Sequence, residues 1–148
     1  MAQTADRMIA ALDSFEPDDG YDENQFRLYR IIEGFKELPD RERIVAAMFA
    51  LMERFPDAYV GTPGPLVHSI ESLGVARYQS LLVASVRRQP AELNAWMLNR
   101  ILNTNVSLEQ RRELLDVMRS VPQHPRVTPR VAELARGFLK HQAKREAS

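Results

Sequence analysis

The sequence predicts an all-α fold of seven or eight short antiparallel helices in a single domain spanning residues 1–148. Apolar residues recur at three- and four-residue steps along most of the chain, the spacing of one helix face. No segment shows the apolar–polar alternation of a strand, and Pro- or Gly-containing breaks separate the periodic stretches. Short breaks between helices make sequence neighbours antiparallel neighbours in space.

The first helix is expected from about Ala5 to Ser14, capped by Thr4, with Met8, Leu12 and Phe15 on one face. Pro17 and Gly20 end it within an acidic loop at about residues 16–23. A second helix, about Asn24 to Lys36, places Phe26, Tyr29 and Ile32 together, with Gly34 weakening its end. The third, about Pro39 to Phe55, carries Ile44, Val45, Met48, Leu51 and Met52, and Pro56 closes it. A short helix follows and ends near Leu73. Another runs from about Val75 to Gln89, with Tyr78, Leu81, Leu82 and Ser85 on a common face.

Pro90 is read as the start of the next helix, which turns Leu93, Trp96, Met97 and Ile101 inward. Ser107-Leu-Glu-Gln110 fits a capping box, in which Ser107 accepts a backbone N–H and Gln110 reaches back. Thr128-Pro129 reads as N-cap plus first residue of the last helix, whose apolar face is Val131, Leu134, Ala135 and Phe138. The polar tail from about Gln142 to Ser148 is expected to fray. Helix starts near 75, 91, 108 and 129 suggest HEAT-like stacked hairpins, with an irregular bundle as the alternative.

The stretch Gly61-Thr-Pro-Gly-Pro-Leu-Val-His68 stops one structure and launches another. Proline fixes φ and suits a first helical turn, whereas glycine tolerates φ > 0. Gly61, Pro63, Gly64 and Pro65 are therefore read as a structural corner, with His68 bridging it to Asn99 or Asn103 on the Trp96–Asn103 helix. Asparagines are poor helix formers, so an internal hydrogen-bonding duty would explain that pair, with Arg100 and Arg111 nearby.

A net charge of zero hides a split: residues 1–74 hold 7 basic against 14 acidic residues, and residues 75–148 hold 13 against 6. Either the halves pack or assemble on one another, or the ends select charged partners. The acidic loop region groups Asp13, Glu16, Asp18, Asp19, Asp22 and Glu23 with no basic residue inside it. It reads as a solvated loop or as a surface that steers a cationic protein into place. The basic residues of the second half, among them Arg77, Arg87, Arg88, Arg126, Arg130, Arg136, Lys140, Lys144 and Arg145, lack a recognition-helix motif or interleaved aromatics. Direct nucleic-acid binding is not expected from them.

No apolar run approaches the roughly 18 residues of a membrane span. The first residues place Asp6 and Arg7 ahead of a short amphipathic stretch, so no secretory signal is expected and a cytoplasmic location is. The absence of cysteine excludes disulfides, thiolate metal sites and cysteine nucleophiles. His68 and Glu71 share a helix face, but they form one reversed copy of the Glu-x-x-His unit that carboxylate-bridged metal bundles use in pairs. The Gly61-Thr-Pro-Gly64 turn lacks the Gly-Lys-Ser/Thr ending of a phosphate-binding loop, and no Gly-x-Ser-x-Gly elbow occurs. His68 and Ser69 are adjacent, and helical neighbours point apart. No enzyme activity, metal or cofactor is expected.

Taken together, Gly61-Thr-Pro-Gly-Pro-Leu-Val-His68 and Trp96-Met-Leu-Asn-Arg-Ile-Leu-Asn103 resemble small all-helical bacterial immunity proteins of polymorphic and contact-dependent toxin systems. The resemblance covers mainly residues 38–121. It implies a cytoplasmic protein that binds a cognate toxin domain and blocks its active site or its assembly. Motifs of that kind preserve scaffold, so the acidic loop and outer helical faces are the places to expect partner specificity. The competing expectations are a HEAT-like adaptor with no toxin partner and, more remotely, a metal-assisted hydrolase using His68 and Glu71.

Overall fold

The structure, a computed structural model, describes residues 3–19, 21–61 and 63–147, and only the backbone of residues 21 and 22. Among the described residues there are eight α-helices, one short 3-10 turn and no strand. In order they are α1 (Ala5–Asp13), α2 (Tyr21–Ile31), the 3-10 turn Phe35–Glu37, α3 (Arg41–Arg54), α4 (Gly64–Glu71), α5 (Val75–Arg88), α6 (Glu92–Leu102), α7 (Leu108–Ser120) and α8 (Pro129–Ala147).

The helices pack mainly on their next and next-but-one neighbours. Thus α1 lies on α2 and α3, α2 on α4, and α3 on α4 and α5, while α5 through α8 repeat the same pattern. The additional α3–α6 contact makes α3 the centre of the domain. Its sequence explains why. Ile44, Val45, Ala47, Met48, Phe49, Leu51 and Met52 are all buried, which covers far more than one stripe of the helix. A helix apolar on several faces has to be surrounded.

Several boundaries differ from the sequence expectation, each for a local reason. Helix α2 starts earlier and ends at Ile31, because Gly34 adopts φ +83 and the chain tightens into the 3-10 turn. Asp40, at φ +59, delays α3 to Arg41 rather than Pro39. Helix α6 starts at Glu92 rather than Pro90, because the Ala91 N–H is taken by the Asn94 side chain (2.8 Å). The Glu92 N–H donates to the Pro56 carbonyl (2.9 Å). Thr4 and Thr128 cap as expected, accepting from the N–H groups of Arg7 and Val131. Ser107 accepts from Gln110 N–H, but the Gln110 side chain donates across to Gln79 (2.7 Å) instead of closing the capping box.

Buried amides lock helices that apolar packing alone would leave free to slide. Asn94, wholly buried, accepts from Ala91 N–H and donates to Ser85 Oγ (3.0 Å) and the Gln89 carbonyl (3.1 Å). Ser85 Oγ in turn donates to Glu53 (2.7 Å), and Arg88 grips the same carboxylate through Nε and a terminal nitrogen. The hydrogen bond to Glu53 raises the Arg88 pKa above its ordinary value. One network therefore joins α3, α5 and α6.

The second network corrects the expectation of a frayed tail. Gln142 is buried, and its Nε2 donates to Asn99 Oδ1 and Asn103 Oδ1, both at 2.8 Å. Its Oε1 accepts from Arg111 (3.0 Å), while Arg145 donates to the Leu102 carbonyl (3.0 Å). The end of α8 is thus clamped onto the end of α6 and the start of α7.

Asn94→Ala is expected to destabilise the fold by about 2–3 kcal/mol, because it leaves the buried Ala91 N–H without an acceptor and breaks the Ser85 link. Urea unfolding measures it. Gln142→Ala should act locally. Hydrogen exchange is expected to accelerate in the last two turns of α8, with a smaller loss of global stability than Asn94→Ala causes.

Candidate partner-binding surface

The first part of the acidic loop, residues 16–19, is held by α2. Asn24, at the inner side of α2, is buried, and its carboxamide closes the loop: Oδ1 accepts from Asp18 N–H (2.9 Å) and Nδ2 donates to the Asp18 carbonyl (2.8 Å). The same Nδ2 donates to the Tyr59 carbonyl (3.0 Å), on the segment that leads into the Gly/Pro corner. Arg27, one turn along α2, lies 4.4 Å from the centroid of the buried Phe15 ring. It donates to the Glu16 carbonyl (2.9 Å) and pairs with the Asp18 carboxylate (3.6 Å). The sequence places no basic residue within the acidic segment, yet the fold brings Arg27 into it.

The corner supports α2 from behind. Gly61 is buried at φ +100, and a Cβ there would come within 2.8 Å of the Gly64 Cα and 2.9 Å of the Gln25 side chain. Only glycine permits that approach. Gly64 adopts φ +74 in open space, and Pro63 and Pro65 flank it at the start of α4. Thr62, within the same motif, lies outside the described residues.

The expected bridge from His68 to Asn99 or Asn103 is not formed. His68 is exposed on α4, and both asparagines are taken by Gln142. The actual tie between α4 and α6 is Glu71 with Arg100 (2.8 Å), whose guanidinium also sits 5.1 Å from the Trp96 ring centroid. Buried Tyr78 lies beside this pair. Burial raises its pKa, Glu71 adds to the rise and Arg100 opposes it. Among the described residues no three His, Cys, Asp or Glu side chains converge into a cation site.

The carboxylates separate by role. Asp13, Glu16, Asp19 and Glu23 are exposed, Asp18 is engaged by Arg27, and the Asp22 side chain lies outside the described residues. Several basic residues of the second half are paired: Arg77 with Glu42, Arg88 with Glu53, Arg130 with Glu92 and Arg136 with Glu133.

The sequence reading missed the outer face of α2. Phe26 is 68% exposed and Tyr29 51%. The buried face runs through Asn24 and Leu28 to Ile32, and of the expected trio Phe26, Tyr29 and Ile32 only Ile32 is buried. A polar residue inside that stripe hid it, and the aromatic pair was the more conspicuous signal. Large apolar side chains on a surface mark contacts when they adjoin, and these two are one helical turn apart. Beside Tyr29, the end of α2 opens into a groove of about 320 Å³ reaching Ser69 of α4.

No protein-family model, curated protein or solved structure matches this chain. Among the described residues no helix is long and apolar enough to cross a membrane.

Gly64→Ala is expected to cost about 1–2 kcal/mol, the strain of a left-handed residue alone. Gly61→Ala adds overlap with backbone and should cost about 3 kcal/mol or more. Equal melting temperatures for the two variants would contradict the packing role assigned to Gly61.

Proposed function

We propose that this chain is an immunity protein, a non-enzymatic inhibitor that binds a cognate bacterial toxin domain in the cytoplasm. The observation that carries this reading is the pairing of a pre-formed acidic loop with the exposed Phe26–Tyr29 face of α2. Binding loses affinity when loops must be ordered at the moment of contact, and Asn24 and Arg27 have already ordered this one. Aromatic residues at the centre of a patch supply most of the energy of a protein interface, and surrounding charges set the approach and its speed.

The partner surface such a patch complements is basic with an apolar centre. A nuclease cleft has that character, because it holds phosphates and bases. Occupying the cleft with carboxylates and aromatic rings would exclude its substrate. The motif resemblance of residues 61–68 and 96–103 to small helical immunity proteins supports the same reading. A second reading, a HEAT-like adaptor without a toxin partner, is favoured by the successive pairwise packing of α5 through α8. Co-expression separates them, since an immunity protein rescues growth of cells making the toxin encoded beside it.

The triple variant Glu16→Gln/Asp19→Asn/Glu23→Gln is expected to slow association with that toxin domain about tenfold at low salt, and to flatten the salt dependence. Phe26→Ala and Tyr29→Ala should each speed dissociation, for a loss of about 2 kcal/mol. Stopped-flow or surface-binding kinetics checks both. Unchanged rates in all three variants would place the interface elsewhere.

A further inference from the structure

The turn between α7 and α8 is fastened to the end of α5 by two side chains, Gln89 and His124. Gln89 Nε2 donates to the Arg126 carbonyl (3.0 Å). His124, half-buried, accepts from the Arg126 N–H through Nδ1 (3.0 Å), and its Nε2 lies 2.8 Å from the Arg87 carbonyl. Each partner of the ring has only one role to play. A backbone N–H donates and a carbonyl accepts, so Nδ1 is bare and Nε2 carries the hydrogen. Both bonds exist together in this one tautomer of the neutral ring.

A second proton would sit on Nδ1, and two donors would then face each other across that contact. The turn cannot yield to them. Pro125 fixes its φ, and the Val127 N–H closes it on the His124 carbonyl (3.1 Å). The ring is what moves, and as it swings out the Arg87 carbonyl loses its donor as well. A charged ring also finds no counter-ion in place, since among the described residues the imidazole has no ion pair. The surrounding elements bring cations: Arg87 and Arg88 at the end of α5, Arg119 at the end of α7, Arg126 in the turn and Arg130 at the start of α8. Their carboxylates are held elsewhere, Glu53 by Arg88, Asp116 by Arg119 and Glu92 by Arg130, while Asp57 takes the Thr128 hydroxyl (2.6 Å). The C-terminus of a helix favours a cation, but α5 already has two there.

We infer that His124 is a pH-sensitive clasp. The neutral ring fastens the α7–α8 turn to α5, and the protonated ring lets go of both its partners, leaving the Gln89 tie. Histidine is the side chain whose charge ordinarily changes between about pH 5 and 8, so the clasp is closed at the upper end of that range and opens as pH falls. The change is confined to the turn. Thr128 still accepts from the Val131 N–H and donates to Asp57, and Val121 and Val131 on either side are buried in the core. This device is separate from the α2 surface and rests on none of the toxin-inhibitor reading.

The test is an NMR titration of the full chain between about pH 8 and pH 5, following the ring nitrogens of His124 and the backbone amide of Arg126. At the upper end the ring is expected in the Nε2–H form, with the Arg126 amide hydrogen-bonded. On acidification the Arg126 amide signal should move to the position of an amide open to water, with the same midpoint as the His124 ring, while the signals of residues 128–131 stay in place. Two variants bracket the change. In His124→Asn the Oδ1 atom accepts the same N–H as an Asx-turn at every pH, so the Arg126 amide should keep its high-pH position throughout. In His124→Ala it should keep the acid position throughout. His68 and His141, exposed on α4 and α8, should titrate without moving it. The inference is overturned by a proton on Nδ1 at the upper end, by an Arg126 amide that ignores the titration of the ring, or by an Arg126 amide that shifts in His124→Asn as it does in the unsubstituted chain.

Discussion

One buried carboxamide, that of Asn24, holds the functional face of this protein together. It satisfies both backbone groups of Asp18 and the carbonyl of Tyr59, so two loops distant in sequence close on a single side chain. Three backbone polar groups are met at once. Without it they would face a buried environment, or the loops would open to water. The Gly61 backbone then packs against Gln25, one residue along α2, and Leu28 anchors the helix in the core. What is left outward on α2 is the Phe26–Tyr29 pair, with exposed Glu23 one turn before Phe26.

The same device recurs twice. Asn94 joins α6 to α5 and, through Ser85 and Glu53, to α3, and Gln142 joins α8 to α6 and α7. Apolar contacts drive the helices together but are weakly directional. An amide buried among them accepts only one arrangement, because any slip leaves its own donors and acceptors unmet. One continuous apolar core runs through all eight helices, and such locks fix the register of each helix on its neighbours.

The fold class was legible because it depends on periodicity. The Ile44–Met52 pattern, the Thr4 and Thr128 caps and the proline breaks all describe local backbone chemistry, and the structure contains them. What was not legible depends on long-range partners. In the sequence, Asn99 and Asn103 call for a hydrogen-bonding partner, and the tail from Gln142 reads as loose. Each was half of one clamp, and no local signal joins residues some forty positions apart. The α2 face was misread for a related reason. Its buried stripe contains Asn24, whose polarity makes sense only once Asp18 and Tyr59 are in place. Phe26 and Tyr29, the more apolar choice, are exposed. On α2 the residues that break the hydrophobic rule in both directions, buried Asn24 and exposed Phe26 and Tyr29, are those that build the candidate surface.

The central claim is that the acidic loop is rigid before any partner arrives. Backbone ¹⁵N order parameters for residues 16–19 of the free chain test it most directly. The hydrogen bonds from Asn24 and Arg27 predict values close to those of the flanking helices, about 0.85. Values below about 0.6, typical of a flexible loop, would contradict the account.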